Sequence, residues 1–203
     1  MVSKLVEVLT RAQELGFIGL EPIDQYIDHS KAHLDAACLS PTEIWCDLGS
    51  GGGLPGLVVA SIVPNLEMVL IDRGEKRVRF LESAIDTLGY QNRVKAVLGD
   101  VTELAHLQKF RGEFDGIFSR SFGTPAIVAE CSAGLLKQNG KLIVSEPPVE
   151  ASNRWPLEAL RELGFTEIKY FEGPPRFVSL LLGDECPGST PRTWKKVSRS
   201  PLY

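Results

Sequence analysis

The stretch Ile44-Trp45-Cys46-Asp47-Leu48-Gly49-Ser50-Gly51-Gly52-Gly53-Leu54-Pro55-Gly56 decides how this chain folds. Its apolar beginning is typical of a buried strand, and an acidic residue stands near the end of that strand. Glycines follow, whose backbone lets a ligand approach closely, and Pro55 suits the first turn of a helix. The stretch therefore predicts a strand, a glycine loop and a helix that together hold a nucleotide-like ligand.

The chain after this stretch continues to alternate short apolar runs with amphipathic segments. The runs predict strands at 44–48, 68–71, 94–98, 114–118 and 141–144, and the amphipathic segments predict helices at 55–62, 75–88, 101–109, 124–136 and 153–162. Strands separated by helices at this spacing indicate a parallel, doubly wound sheet with right-handed crossovers. We therefore expect the functional residues at the carboxyl ends of the strands.

The two ends of the chain depart from this alternation. Apolar residues recur at helical spacing within 3–15 and 22–38, and we expect residues 1–43 to form an N-terminal helical cap that serves packing. Near the other end, the β-rich runs 165–171 and 177–182 are joined by a segment too short for a crossover helix. These two runs therefore predict an antiparallel hairpin.

Composition limits the function classes. With 203 residues, 43% of them hydrophobic and 24% charged, the chain is expected to form one globular domain. A net charge of −4 argues against a uniformly basic surface that coats nucleic acid. The four cysteines have no CxxC pair, and no apolar run is long enough to span a bilayer. We expect reduced thiols, a cytoplasmic location and no membrane partner.

The glycine loop alone leaves two ligand classes open. It satisfies the GxGxxG pattern of dinucleotide-binding enzymes, which is weak evidence on its own. Asp47, two residues before the first glycine, favours a ligand with an ammonium group and disfavours a pyrophosphate. S-adenosylmethionine carries an amino group and a sulfonium and has no phosphate. The loop together with Asp47 therefore predicts S-adenosylmethionine.

The next two predicted strands also end in acids. Asp72 is placed to accept hydrogen bonds from ribose hydroxyls, although nicotinamide enzymes use an acid there too. Asp100 either caps the following helix or receives the adenine amino group, and both alternatives stay open. Acids at three successive strands, together with the terminal hairpin, favour S-adenosylmethionine over a dinucleotide.

Four segments carry a resemblance to a known family. With Leu54-Pro55-Gly56 closing the loop, the sequence resembles the bacterial small-subunit ribosomal RNA guanine-N7 methyltransferases, also called glucose-inhibited division protein B. The segments 72–81 and 114–122 resemble two further family segments. Pro191-Arg192, with the lysines and Pro201-Leu202 that follow, resembles the family's C-terminal signature. The resemblance covers about residues 44–203.

This resemblance implies a class I S-adenosylmethionine-dependent methyltransferase with a Rossmann-like α/β fold. The parallel sheet would end in the C-terminal antiparallel hairpin, with the methyltransferase domain at 44–186 and a basic tail at 187–203. Implied partners are ribosomal RNA or the small ribosomal subunit, on which the chain would act as a monomer. The cofactor would be S-adenosyl-L-methionine.

Site residues follow from the acids and from the resemblance together. The expected cofactor-binding residues are Asp47, Gly49, Ser50, Gly51, Gly53, Leu54, Asp72, Asp100, Val101, Thr102 and Arg120. Arg120 and Arg192 are the expected catalytic residues. By the resemblance, Arg120 lines the site and Arg192 approaches the RNA or the cofactor carboxylate. An ion pair of Arg120 with Asp115 or Glu146 is the structural alternative.

The chemistry explains why few catalytic side chains are expected. Methyl transfer from a sulfonium is an in-line displacement, and guanine N7 presents a free lone pair, so positioning suffices and no general base is needed. We therefore expect no catalytic triad and no metal. His29 and His33, four residues apart, are expected to pack within the cap because no third zinc ligand is near them in the sequence. Phe122 is the predicted base-stacking residue.

Two departures from the family leave alternatives. Val144-Ser145-Glu146-Pro147 has an acid where the family has Lys-Gly, and the family's N-terminal Trp-Asn element is absent. These departures motivate a divergent methyltransferase that acts on a small molecule or another RNA. A third hypothesis is an inactive, cofactor-binding protein associated with the ribosome.

Overall fold

The computed structural model of the protein describes residues 2–148 and 154–203. Within them, the strands are β1 Ile44–Leu48, β2 Glu67–Asp72, β3 Val94–Leu98, β4 Phe114–Ser119, β5 Leu136–Glu146, β6 Phe165–Phe171 and β7 Arg176–Leu182. The helices are α1 Val2–Glu14, α2 Ile23–Ala37, α3 Gly56–Ile62, α4 Glu75–Leu88, α5 Val101–Leu104, α6 Pro125–Ala133, α7 Leu157–Arg161 and α8 Trp194–Arg199. No helix of this described part has both the length and the apolar character needed to cross a bilayer.

The strands form one sheet in the order β3-β2-β1-β4-β5-β7-β6. The first five strands are parallel, and β7 runs antiparallel to both β5 and β6. The predicted parallel sheet with a terminal hairpin is thereby confirmed. Strand order reverses between β1 and β4, and ligands of such sheets bind at the carboxyl ends next to this reversal.

Each face of the sheet carries its own hydrophobic core. Helices α1 to α4 cover one face, where the Trp45 ring stacks on Phe118 with 4.4 Å between centroids. A Cβ at Gly116 would clash with the Trp45 ring, so the glycine is what lets the indole lie flat on β4. Helices α5 to α8 cover the other face around Phe114 and Phe165. The sheet is thus buried on both sides, as parallel sheets require.

The N-terminal helices pack directly on this domain. α1 contacts α3 and α4, and α2 contacts α3 and β5. Leu9 and Ala12 of α1 are fully buried, in line with their helical spacing in the sequence. This packing places the connection between α1 and α2 over the glycine loop, where Phe17 and Ile18 are close neighbours of Gly51 and Gly52.

Several predicted boundaries were wrong. The helix predicted over 101–109 ends at Leu104, because tight i→i+3 hydrogen bonds replace the α-helical pattern from Leu107 N to Leu104 O onward. The strand predicted over 141–144 spans 136–146, because Asn139 adopts a left-handed φ of 65° and carries a bulge inside the strand.

The helix predicted over 153–162 is shorter, and an unpredicted helix follows it in the tail. α7 begins after Pro156, which is its N-cap residue and has an extended backbone conformation, and residue 153 lies outside the described residues. The basic tail contains α8, whose Val197 is fully buried. Six residues with one buried side chain give too weak a periodic signal to predict a helix from sequence.

Candidate active site

A cavity of about 630 Å³ opens at the carboxyl edge of β1, β2, β3 and β4. We call it the cofactor cavity. Its volume lies within the range of small-molecule binding sites. Eight of the residues predicted from sequence line it: Gly49, Ser50, Gly51, Leu54, Asp72, Asp100, Val101 and Arg120.

The glycine loop forms one wall with its backbone. Gly49 and Gly51 have φ of 74° and 54°, a left-handed conformation that glycine adopts without strain. The N–H groups of Gly49 and Ser50 both donate to Ile71 O, at 2.9 and 3.0 Å, which ties the loop to β2. The Ser50 hydroxyl donates to Asp47 O at 2.7 Å. The loop is therefore rigid before any ligand binds.

Asp72, the last residue of β2, is a carboxylate held by several donors. Its Oδ1 accepts from Gly74 N at 2.7 Å and from Arg77 Nε at 2.9 Å, and its Oδ2 accepts from Gly51 N at 3.0 Å. Burial alone would raise the pKa of Asp72, but these hydrogen bonds together hold it below its ordinary value. Asp72 is thus ionised and able to accept further hydrogen bonds from hydroxyl groups.

Asp47 lies behind the glycine loop and does not line the cavity. Its Oδ2 accepts from Gly56 N at 2.9 Å, while its Oδ1 is buried without a hydrogen-bond partner among the described residues. Burial raises the pKa of Asp47 to about 7, against the lowering effects of the Gly56 hydrogen bond and the Arg120 charge. Its predicted contact with a ligand ammonium stays a prediction that this position does not support.

After the third strand, Asp100 is the N-cap of α5. Its Oδ1 accepts from Thr102 N at 2.8 Å and from Thr102 Oγ1 at 2.7 Å, so the side chain caps α5. Asp100 also borders the cofactor cavity, and capping leaves its second oxygen available there. Thr102 and Gly53 are outside the cavity lining, and Thr102 Oγ1 accepts from Trp194 N at 3.2 Å.

Arg120 directly follows β4 and faces the cavity. The structural alternative does not hold, because Asp115 pairs with Lys137 at 2.8 Å and Glu146 pairs with Arg154 at 3.4 Å. Within the described residues no ion pair of Arg120 is found; its guanidinium lies over the Tyr26 ring, 4.9 Å from the centroid. The charge of Arg120 is therefore available to a ligand.

Arg192 lies outside the cavity lining. Its Nε donates to Oε1 of the buried Glu130 and its Nη2 donates to Oε2, both at 2.7 Å. Its backbone N also donates to Glu130 Oε1, at 2.9 Å. This bidentate pair fastens the tail to α6. The predicted contact of Arg192 with RNA or cofactor stays a prediction, which its engagement with Glu130 does not support.

Other lining residues come from the N-terminal cap and from the basic tail, in which Arg192 was the predicted site residue. Phe17, Ile18 and Tyr26 reach the cavity from the N-terminal cap, to which the sequence assigned only packing. Trp194 reaches it from α8, where it contacts Phe122 with 6.1 Å between centroids, and the Arg73 guanidinium lies over its ring. No spacing in the sequence relates these segments to the glycine loop, so no signal could have found them.

A second cavity of about 370 Å³ adjoins the first. We call it the acceptor cavity. The two cavities share Arg120, Ser121 and Phe122, and Ser121 holds a left-handed φ of 58° at this border. Further lining comes from the end of β5 and from the chain before α7, including Glu146 and Trp155. Phe122, the predicted stacking residue, thus stands between the two cavities.

The chain matches the family model GidB, described as rRNA small subunit methyltransferase G, over residues 10–147. It is 29% identical over 159 residues to Ribosomal RNA small subunit methyltransferase G of Mycoplasmoides gallisepticum, covering 75% of this chain and 65% of that protein. The protein of the same name from Trichormus variabilis is 34% identical over 121 residues, covering 59% and 49%. The matched part spans about two thirds or less of these relatives' length.

Among solved structures, the fold is similar to that of a SAM-dependent O-methyltransferase from Thermotoga maritima. The TM-score is 0.59 at 17% identity, and the match covers 83% of this chain and 67% of that one. At this identity the likeness concerns the fold alone, which agrees with the doubly wound sheet described above.

Proposed function

The chain belongs to the rRNA small subunit methyltransferase G family, and from that premise we propose that it transfers a methyl group from S-adenosylmethionine to guanine N7 in small-subunit ribosomal RNA. The observation that carries the proposal is the pair of adjoining cavities. One is formed by a glycine loop and an ionised strand-end carboxylate, and the other is large enough for a base. They meet at Arg120, where transfer would take place.

The residues of the cofactor cavity fit S-adenosylmethionine. Asp72 Oδ2 keeps acceptor capacity for a ribose hydroxyl, and Gly49 and Gly51 border the cavity with backbone that carries no side chain. Val101 offers an apolar contact for adenine, with Asp100 beside it as an acceptor for the amino group. When bound, the cofactor supplies an electrophilic methyl group on a sulfonium.

The protein's own part in the reaction is positioning. Guanine N7 needs no deprotonation, so the residues have to align N7 with the methyl group and exclude water. We assign the alignment to Arg120, whose guanidinium can donate to O6, the atom next to N7 on the purine edge. Phe17, Ile18 and Phe122 border the site with apolar surface and would exclude water.

The remaining predicted residues receive supporting roles in this proposal. Asp47, Gly53 and Thr102 shape the loop and the start of α5 from behind, and Arg192 holds the tail in place. We also propose the division into cap 1–43, methyltransferase domain 44–186 and tail 187–203, with both flanking segments completing the cofactor cavity. A cytoplasmic monomer acting on the small subunit is part of the proposal, supported by four free cysteines.

The test is methyl transfer with defined acceptors. Purified protein is incubated with radiolabelled S-adenosylmethionine and naked small-subunit RNA, intact small subunits or a metabolite pool. We expect label in the RNA or the subunits, released by nuclease digestion as 7-methylguanosine. Label only in metabolites would contradict the proposal and favour a small-molecule methyltransferase. Calorimetric binding of the cofactor without any transfer would favour an inactive binding protein.

A further inference from the structure

The acceptor cavity gathers buried polar atoms that lack partners. Among the described residues, His29 Nδ1 and Ser119 Oγ are buried without a hydrogen bond, and both residues line this cavity. Arg154 and Glu146, which also line it, form an ion pair with 3.4 Å between Nε and Oε2. Buried polar groups in folded proteins are nearly always paired. Two unpaired groups and one ion pair around the cavity give it a polar lining that suits a polar ligand.

The position of the cavity indicates which kind of ligand this is. It shares Arg120 and Phe122 with the cofactor cavity, so a ligand in it lies beside the methyl donor. Its volume of about 370 Å³ suits a nucleoside, and Phe122 offers an aromatic face for stacking. Enzymes that modify a base take it out of its stack into such a pocket.

Glu146 is the acidic residue among the described residues that line this cavity, and its side chain is only 11% exposed. Its Oε1 accepts from Trp155 Nε1 at 3.1 Å, and its Oε2 lies 3.4 Å from Arg154 Nε. A carboxylate has about four acceptor sites, so each oxygen can accept one more hydrogen bond. Trp155 and Arg154 thus fix the carboxylate in one orientation and leave it able to bind a pair of donors.

We propose that the acceptor cavity seats the guanine and that Glu146 accepts hydrogen bonds from its N1–H and 2-amino groups. Around the edge of guanine, N7 is followed by O6, then by N1 and the 2-amino group. In the same order, N7 would face the cofactor cavity, O6 would face Arg120, and N1–H and the 2-amino group would face Glu146. Adenine has an acceptor at N1 and no 2-amino group, so the carboxylate disfavours it. The inference rests on the proposed function and makes Glu146 the residue that selects guanine.

The first measurement compares Glu146→Gln with Glu172→Gln. Glu172 also pairs with an arginine, Arg176 at 3.1 Å, but lies exposed at the hairpin. Kinetics use the RNA form that the wild type methylates. We expect Glu146→Gln to lower kcat/KM roughly 10- to 100-fold, the value of a bidentate base contact. Cofactor affinity should be unchanged because Glu146 does not line that cavity. Glu172→Gln should match the wild type.

The second measurement separates base reading from a structural role. Small-subunit RNA is transcribed with guanosine or with inosine in its place, and both transcripts are tested naked and after assembly with the small-subunit proteins. Inosine keeps N7 but lacks the 2-amino group, so the wild type should prefer guanosine roughly tenfold. Glu146→Gln should lose most of this preference. Because both enzymes meet the same two RNAs, differences in RNA folding cancel in the ratio.

The outcomes separate this inference from the proposed function. If Glu146→Gln keeps the guanosine preference of the wild type, or keeps its kcat/KM within twofold, the assignment of Glu146 is overturned while the methyltransferase proposal stands. If the wild type transfers no methyl group to any RNA, the proposed function fails and the inference fails with it. A methylated base other than guanine would overturn both.

Discussion

The carboxyl ends of β1 and β2 lie side by side, and each carries an aspartate in a very different state. Asp72 is held by donors from Gly51, Gly74 and Arg77, and its pKa is lowered. Asp47 has a hydrogen bond from Gly56 alone, and burial raises its pKa to about 7. Both were predicted to bind the cofactor, yet only Asp72 borders the cavity.

The difference follows from position within each strand. Asp72 is the last residue of β2, so loop N–H groups and a helix side chain can reach it. Asp47 is the penultimate residue of β1, and its side chain is directed at Gly56, the first residue of α3. A shift of one residue changes the face of a strand. An acid near a strand end is therefore a ligand candidate only when its donors come from the loop side.

The largest effect is expected from Asp72→Ala. Asp72 Oδ2 keeps one free acceptor site, and one hydrogen bond from a ribose hydroxyl to a carboxylate contributes up to about 3 kcal/mol, so cofactor affinity should fall by up to roughly 100-fold. Isothermal titration calorimetry with S-adenosylmethionine measures this. Asp47→Asn serves as the matched variant and should weaken binding at most about tenfold. Equal losses in the two variants would erase the distinction between the two strand ends.

Arg120 follows β4, the strand that pairs with β1, and its charge lowers the pKa of Asp47. Arg120→Ala should reduce kcat/KM for RNA methylation roughly 10- to 100-fold, the contribution of one hydrogen bond to a charged group. The melting temperature should change by less than about 4 °C, because the contact of Arg120 with Tyr26 contributes under about 1 kcal/mol at a partly exposed site. Methylation kinetics and thermal unfolding are measured on the same preparation. A collapse of stability with intact turnover would make Arg120 a structural residue.

Asp47→Asn should stabilise the protein at pH 8 by about 2 kcal/mol. A pKa raised from 3.8 to about 7 means that ionisation of Asp47 opposes folding by about 4 kcal/mol. The substitution removes this penalty, but the buried asparagine amide would lack a partner, which costs about 2 kcal/mol. The penalty is absent below pH 3.8, grows as the pH rises to about 7 and is constant above that. Thermal unfolding from pH 4 to 8 should therefore show the advantage of Asp47→Asn increasing with pH.

Asp72→Asn should show the opposite sign when the same thermal unfolding series is extended below pH 3.8. The lowered pKa of Asp72 means that its ionised form stabilises the fold above pH 3.8, and this stability is lost as the pH falls. Asp72→Asn should thus be less stable than the wild type at pH 8 and approach it in acid. A stability gain in both variants at pH 8 would show that donors at Asp72 do not compensate its burial.

The smallest effect is expected from removing the Arg77 donor with Arg77→Met. Its ion pair with Asp72 is partly exposed, so it contributes at most about 1 kcal/mol, and cofactor affinity should fall about three- to fivefold. Lys76→Met, one position earlier on α4, removes a charge that makes no contact with Asp72 and should leave affinity unchanged. An equal loss of cofactor affinity in both variants would show that Arg77 acts through its positive charge alone and not through its contact with Asp72.

The sequence predicted those parts of the site that are local in the chain. The glycine loop, its flanking strand and helix, and Asp72 and Asp100 at later strand ends were all placed at the correct edge. Each depends on a short pattern: glycine spacing, apolar runs and an acid at a strand end. The predicted end of α5 at 109 and the predicted start of α7 at 153 were wrong, because tight turns end α5 at Leu104 and Pro156 precedes the start of α7. The apolar pattern encodes neither feature.

By itself, the sequence determined the sheet, the terminal hairpin and the loop that faces the cofactor cavity, because periodicity and glycines act on neighbouring residues. Tertiary structure alone decided which side chains surround that loop. Packing of α1 on α4 brings Phe17 to the cavity, and the Arg192–Glu130 pair brings Trp194. The tertiary structure also buried the Asp47 side chain and placed Glu146 and Arg120 in the lining of one cavity. The burial of a residue and its partners from distant parts of the chain are set only when the chain has folded.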